Sequence, residues 1–251
     1  MHAALTHLLA LALVFPTVAA ADVTDRLVRT LQIAPGTPIR VEATVADVTI
    51  VGSDRSDLSV EIVRRAPSAG ELAKYPVAID ENPAALRIAV VQQEEGRDPN
   101  LKTDITIAAP VNAVFQAIRV FEGRLKLTNL RGACDADLRR GALEATGVGG
   151  RVLLEGGIGS LDVRQPELTP GGMMRLRLFN GALKVRLSHL PSSARILAVT
   201  LNGTITSDIP LTMKDKFGPR FGETTIGNGD PVMSIDVVKG NIAIVVESKR
   251  P

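Results

Sequence analysis

The sequence predicts an all-β protein, built as a β-solenoid or β-helix-like stack of short strands. Three observations predict this fold. The apolar residues are mostly Val, Ile, Leu and Ala, with no Trp and a single Tyr. Twenty-two Gly and fifteen Pro divide them into short segments. Glycines also recur every nine residues over 123–159. With 45% hydrophobic and 22% charged residues, the 251-residue chain is typical of a folded protein and not of a disordered one.

Residues 1–21 have the pattern of a secretory signal peptide. An apolar run over residues 5–14, interrupted only by Thr6 and His7, is followed by small residues up to Ala21, which favour cleavage after Ala20 or Ala21. The run is shorter than the roughly 20 residues that span a bilayer. Because no Lys or Arg precedes it, a buried N-terminal helix is the alternative. We expect an exported protein, periplasmic or secreted, with residues 22–251 as a single β-repeat domain.

The first part of the mature chain is predicted to form strands. Apolar residues alternate over 48–51 and 58–63, on either side of the turn-rich segment 52–57. Two further strands are predicted over 86–91 and 104–108, the second ending at Pro110. One short helix is expected over 69–74, because Pro76 disfavours helical geometry at Tyr75.

The central segment repeats one pattern after each glycine. The second and fourth positions past the glycine are apolar or small, whereas the first and third are mostly polar. This alternation is typical of a short, half-buried strand of about five residues that begins at a turn. The apolar or small pairs are Leu125/Leu127, Cys134/Ala136, Leu143/Ala145, Val152/Leu154 and Leu161/Val163.

The pattern returns after Gly181, Gly203 and Gly240. Two nine-residue units would form one coil of about 18 residues, in which each coil buries its apolar positions against the next. The pairs Asn180-Gly181 and Asn202-Gly203 instead favour hairpin turns between alternating segments. An antiparallel β-sandwich is therefore the alternative fold.

Several segments together resemble the bacterial putative adhesin family described as DUF4097-like. These are Val45-Ala-Asp-Val-Thr-Ile-Val-Gly-Ser-Asp, Asp104-Ile-Thr-Ile-Ala-Ala-Pro, the tandem Gly-x-Leu-x-Val units, and the ending Gly227-Asn-Gly-Asp-Pro with Val238-Lys-Gly-Asn-Ile-Ala-Ile. The resemblance covers roughly residues 40–246. It implies a β-helix-like "toastrack" architecture in an exported protein, and it supplies no catalytic residues to transfer.

Few residues suit metal or nucleophilic chemistry. After residue 21 the chain has one His and one Cys, so we expect no zinc or copper site and no cofactor. The segment Gly156-Gly157-Ile158-Gly159 begins like a calcium-binding nonapeptide, but Leu161 stands where the Asp ligand belongs. Cys134 occupies an apolar position of the repeat, which favours a small buried hydrophobe. His189 is expected at the surface, with Ser188 on the opposite face of its strand.

Basic residues concentrate in the middle of the chain. Residues 119–195 carry thirteen Lys or Arg and seven Asp or Glu. Strand alternation predicts outward positions for the candidate binding residues, and a hairpin at Asn180-Gly181 would bring the last four onto one face. The alternative is a solvated surface that keeps the protein soluble. The candidates are Arg124, Lys126, Arg175, Arg177, Lys184 and Arg186.

These features predict a non-enzymatic binding or scaffold protein of the cell envelope. The expected partner is an anionic envelope polymer or membrane surface, or another envelope protein; nucleic acid is not expected. One alternative is a β-helix enzyme acting on polysaccharide, with paired carboxylates such as Asp135/Asp137 or Glu94/Glu95. Another is an envelope-stress sensor or accessory protein.

Overall fold

The computed structural model describes residues 22–82, 84–92, 101–214 and 218–247. The predicted signal peptide and Glu94/Glu95 lie outside these ranges. The described chain is all-β, with fifteen strands and one short helix. The elements are β1 (Val23–Gln32), β2 (Pro38–Ser53), β3 (Asp57–Ala66), α1 (Ala69–Ala73), β4 (Val77–Asn82), β5 (Ala85–Val90), β6 (Lys102–Pro110), β7 (Val114–Thr128), β8 (Cys134–Thr146), β9 (Arg151–Arg164), β10 (Met173–Leu187), β11 (Ala194–Asn202), β12 (Ile205–Ser207), β13 (Thr212–Lys214), β14 (Arg220–Ile226) and β15 (Val232–Val246).

The strands form one sheet with a parallel centre and antiparallel ends. The main order is β1-β3-β6-β2-β7-β8-β9-β10-β15-β11-β14-β13; outside it, β5 pairs with β2 and β4, and β12 pairs with β15. Every neighbouring pair from β6 to β11 is parallel. The pairs β1–β3, β3–β6, β11–β14 and β13–β14 are antiparallel. The last strand of the chain, β15, is inserted between β10 and β11.

The register of β7 and β8 requires each long strand to fold back on itself. The two strands pair from Phe115 with Cys134 to Thr128 with Thr146, although only residues 129–133 connect them. A straight strand over 115–128 would be about 43 Å long. The connection from Thr128 to Cys134 spans at most about 21 Å. The two halves of β7 therefore lie in two layers.

A column of glycines forms the bend between these layers. Gly123, Gly141, Gly159, Gly181 and Gly240 occupy equivalent positions on neighbouring strands. Their φ angles lie between 131° and 141°, a region that side chains with a Cβ rarely adopt. The buried residues change from even to odd numbers across the bend in β7, from Ile118 and Val120 to Leu125 and Leu127. Both halves therefore direct apolar side chains into one core between the layers.

The glycine bends correct two sequence-based expectations. The repeating strands are 13 to 15 residues long in β7–β10, not about five, because the chain bends at glycine while strand pairing continues. Asn180-Gly181 lies inside β10 and is not a hairpin turn, since β10 pairs in parallel with both β9 and β15.

The nine-residue glycine spacing combines two different structural roles. Gly141 is at a bend, whereas Gly132 and Gly150 lie in the connections between strands. A Cβ on Gly132 would stand 2.1 Å from the Ala113 carbonyl oxygen, and one on Gly150 would stand 2.5 Å from that of Arg131. The pairing of Gly123 with Gly141 and of Gly141 with Gly159 gives a structural period of 18 residues.

The early elements largely agree with the prediction. The helix α1 begins after Ser68, whose Oγ accepts a hydrogen bond from the Glu71 backbone N–H, and it ends before the buried Tyr75. β2 and β3 lie on either side of the predicted turn, yet β3 pairs with β6 and not with β2. No helix within the described ranges is long and apolar enough to cross a bilayer.

Candidate binding surface

The strand halves before the bends form what we call the first-layer surface, and the halves after the bends form the second-layer surface. On the first-layer surface, one register row crosses six neighbouring strands and carries a charged residue on each. Because neighbouring strands lie about 4.8 Å apart, the row is about 24 Å long. Its members are Glu42, Arg119, Asp137, Glu155, Arg177 and Asp236.

The fold separates the four basic residues that a hairpin would have brought together. Arg175 and Arg177 precede the bend at Gly181 and lie on the first-layer surface. Lys184 and Arg186 follow the bend and lie on the second-layer surface. The expectation of one shared face is wrong, because β10 folds back between the two pairs.

Acidic residues compensate most of the first-layer cations. Arg177 Nη1 lies 2.9 Å from Glu155 Oε1, and Arg175 Nε lies 3.9 Å from Asp236 Oδ2. Three outward rows of this surface contain five basic and five acidic residues. They are Arg40, Arg119, Arg139, Arg175 and Arg177, with Glu42, Asp135, Asp137, Glu155 and Asp236. A fourth row, at the start of β9, adds Arg151, for which no ion pair forms among the described residues.

The second-layer surface retains cations without a carboxylate partner. Arg186 pairs with Asp162 at 3.1 Å and lies 3.8 Å from Glu247. Arg124, Lys126 and Lys184 form no ion pair within the part of the chain that the structure describes. Lys126 and Lys184 share one register row, three strands or about 14 Å apart, with Glu144 and Asp162 between them.

Two shallow grooves cross the first-layer surface beside the bend. Their volumes are about 420 Å³ and about 380 Å³, and both are lined by Asp137 and Arg139. Phe121 lines the first groove, and Phe179 lines the second together with Glu155. Each groove thus combines an exposed aromatic ring with charged groups, a combination suited to ligands with both apolar and polar faces.

Asp137 and Asp162 have opposite electrostatic environments. Burial raises the pKa of Asp137, and the nearby Arg139 and Arg119 only partly oppose this effect. For Asp162, burial raises the pKa, but hydrogen bonds from Arg186 and Arg164 outweigh it and hold the pKa below its ordinary value. The first carboxylate is thus destabilised by its site, and the second is stabilised.

The two carboxylates should contribute opposite pH dependence to stability. A raised pKa in the folded state favours the protonated form of Asp137. The contribution of Asp137 to the free energy of unfolding therefore declines as pH rises through that pKa. We expect Asp137→Asn to increase the free energy of unfolding at pH 7, with the gain disappearing toward pH 3. Asp162→Asn should destabilise at pH 7, with the loss diminishing as pH falls. Urea unfolding across this range measures both, and equal signs for the two variants would contradict the assignment.

The groups considered for nucleophilic chemistry give little support for it. Cys134 is buried, which confirms the sequence interpretation, and burial raises the pKa of its thiol to about 12. Ser188 Oγ lies 2.9 Å from His189 Nδ1, so the expected opposite orientation of the two side chains is wrong. The reason is that β10 ends at Leu187, before both residues. Among the described residues, no group of three or more His, Cys, Asp or Glu could hold a metal.

The exposed aromatic residues are functional candidates that sequence patterning did not single out. Phe121 and Phe179 each stand two positions before a bend glycine, and both side chains are more than half exposed. Their equivalent positions in the repeat are a detectable signal. This signal is easily overlooked, because a chain with only seven aromatic residues gives little reason to expect that its rings stack on a ligand.

Comparisons with known proteins find similar solved structures. A putative cell adhesion protein from Clostridium sporogenes is 12% identical, with a TM-score of 0.53 over 90% of this chain and 100% of that one. A putative adhesin from Bacteroides fragilis is 16% identical, with a TM-score of 0.32 over 88% and 97%. No family model and no curated protein matches the sequence. At these identities, the likeness to the Clostridium protein shows a shared fold.

Proposed function

We propose that this protein is an exported, non-enzymatic, adhesin-like binding module of the cell envelope. The observation that carries the proposal is the pair of long outer surfaces, on which register pairing aligns exposed charged side chains across the strands. The folded-back strands and their 18-residue period support a two-layered β-solenoid of the toastrack type. Because the layers share one core, this scaffold can present its side chains at fixed spacing to an extended partner.

The pattern of residues 1–21 and the similarity to a putative cell adhesion protein favour an extracytoplasmic location. The proposed partner on the second-layer surface is an anionic polymer of the envelope. Arg124, Lys126 and Lys184 are the cations of that surface that form no ion pair with a described carboxylate, although Asp47 and Glu144 are register partners of the first two. Their attraction to the polymer would be mainly Coulombic, so added salt should weaken it; the Debye length falls to about 10 Å at 0.1 M.

Lys126→Glu/Lys184→Glu should abolish salt-sensitive retention on beads that carry lipopolysaccharide or teichoic acid. The double change replaces the two row cations with anions. The matched control is Arg175→Glu/Arg177→Glu, which has the same change in net charge on the first-layer surface. Retention at low and high salt is the measurement, and circular dichroism checks folding.

The control should retain most of the binding. Equal loss in the two double variants would mean that retention reports net charge and not a site on the second-layer surface. A parent protein that is not retained at low salt would contradict the proposed function directly.

Asp137 and Glu155 favour one alternative, an enzyme acting on polysaccharide. They are register partners on neighbouring strands, line the same groove, and Asp137 has a raised pKa. Release of reducing ends from envelope polysaccharide, lost in Asp137→Asn, would identify this activity. The ion pairs of Asp137 with Arg139 and of Glu155 with Arg177 instead favour a structural role.

A further inference from the structure

Exposed apolar side chains line the outer side of the glycine bends. The exposed fraction is 50% for Ile158, 60% for Phe179, 42% for Val238 and 52% for Leu201. Their strands, β9, β10, β15 and β11, are consecutive neighbours in the sheet. We call these four residues the apolar edge.

The apolar edge is continuous and is not part of the core. Three strand intervals of about 4.8 Å make it about 14 Å long. The inward positions next to it are already filled by buried residues, Leu178 beside Phe179 and Val237 beside Val238. Phe121 continues the same row on β7, beyond Arg139 and Gly157. Contiguous exposed apolar side chains of this kind mark interaction surfaces.

The charged residues nearest the apolar edge are mainly basic. Arg140 on β8 and Lys239 on β15 occupy the same register row as Ile158, and both are exposed. Within the described structure, neither forms an ion pair. Over β9, β10, β15 and β11, the two rows of the edge hold no acidic residue. The acidic residue of the second row is Glu122, on β7, where it is the register partner of Arg140. The first row over these four strands is Gly157, Phe179, Val238 and Leu201, and the second is Ile158, Asn180, Lys239 and Asn202. The edge therefore complements a partner that is apolar inside and anionic at its surface.

The size of the edge favours a lipid bilayer over a second copy of the chain. Phe179 and Val238 also line the second groove, and the side chains of all four edge residues are exposed. Four half-exposed side chains offer on the order of a few hundred Å². A stable dimer buries about 800 Å² on each partner. At a bilayer surface, apolar side chains can enter the boundary between headgroups and acyl chains while Lys and Arg contact lipid phosphates.

We propose that the apolar edge docks the protein onto the surface of an anionic lipid bilayer. Phe179, Leu201, Ile158 and Val238 insert at the headgroup boundary. Arg140, on the neighbouring strand β8, and Lys239, next to Val238 on β15, contact the lipid phosphates. This site is separate from the second-layer cations, so it does not depend on the proposed polymer binding.

Vesicle co-sedimentation of the exported, processed protein tests the docking. The vesicles contain either phosphatidylcholine alone or phosphatidylcholine with phosphatidylglycerol. The parent should bind the anionic vesicles more tightly than the neutral ones, and Phe179→Asp/Leu201→Asp should bind them at least about tenfold more weakly. Arg140→Glu/Lys239→Glu should remove the preference for anionic lipid.

Two control variants show whether a loss of vesicle binding is specific to the apolar edge. Leu190→Asp/Met213→Asp changes two comparably exposed apolar residues away from the edge and should bind like the parent. Lys126→Glu/Lys184→Glu should also bind vesicles normally, even where it fails on polymer beads. Normal vesicle binding by Phe179→Asp/Leu201→Asp would overturn the proposal, as would a parent dimer in light scattering that this variant dissociates.

Discussion

Replacing Gly141 with Val is expected to destabilise the protein by on the order of 3 kcal/mol or more. Two effects add at this position. The φ angle of 131° is unfavourable for any residue with a Cβ, and the Cβ itself would stand 1.8 Å from the Gly123 carbonyl oxygen. That oxygen belongs to the backbone of the next strand, so relief requires the two strands to separate. Urea unfolding of the variant and the parent measures the difference.

Three further substitutions separate the two effects. Gly171→Val should cost about 1 kcal/mol, since its φ of 75° is strained but no atom lies within 4 Å of its Cβ. Gly150→Val, with φ of 76° and a contact of 2.5 Å, should fall between Gly171 and Gly141. Ala142→Val, beside the bend on a half-buried position, should be nearly neutral. Similar losses of stability at Gly141 and Ala142 would mean that the glycine column is not structural.

Replacing Phe115 with Ala should cost about 3–5 kcal/mol, because the ring is buried and its removal leaves a cavity in the core. β7 supplies its own control, since Phe121 lies on the same strand with 53% of its side chain exposed. Phe121→Ala should change the free energy of unfolding by less than about 0.5 kcal/mol. Urea unfolding measures both changes in the free energy of unfolding, from the shift of the midpoint when the m-value is unchanged.

This comparison tests the layered arrangement. Both residues precede the same bend, but Phe115 points between the layers and Phe121 points away from them. A large loss of stability in Phe121→Ala would mean that the outer surface is covered in solution. A small loss of stability in Phe115→Ala would contradict the position of the core.

Local patterning was sufficient to predict much of the fold. Alternating residues such as Leu125 and Leu127 are buried as the sequence indicated, and the short helix at 69–73 ends beside Pro76. These features depend on the two-residue period of a strand and on the conformations open to proline, both of which nearby residues determine.

The candidate site required the tertiary structure. Counting charges along residues 119–195 indicated a basic block, yet parallel pairing places Glu155 beside Arg177, and Asp236 lies 3.9 Å from Arg175. Asp236 lies 59 residues after Arg177, so its position follows only from the insertion of β15 beside β10.

By itself, the sequence determined the all-β class, the inward positions of the repeat and the glycines that recur through it. Each follows from the conformational preferences and burial of short segments. Only the tertiary structure decided whether Gly181 would end a strand or bend one, because Asn-Gly is compatible with both and the neighbouring strands select the outcome. It likewise decided that Phe179 and Leu201 would meet on one exposed edge, since contacts between distant strands depend on register, which local preferences do not specify.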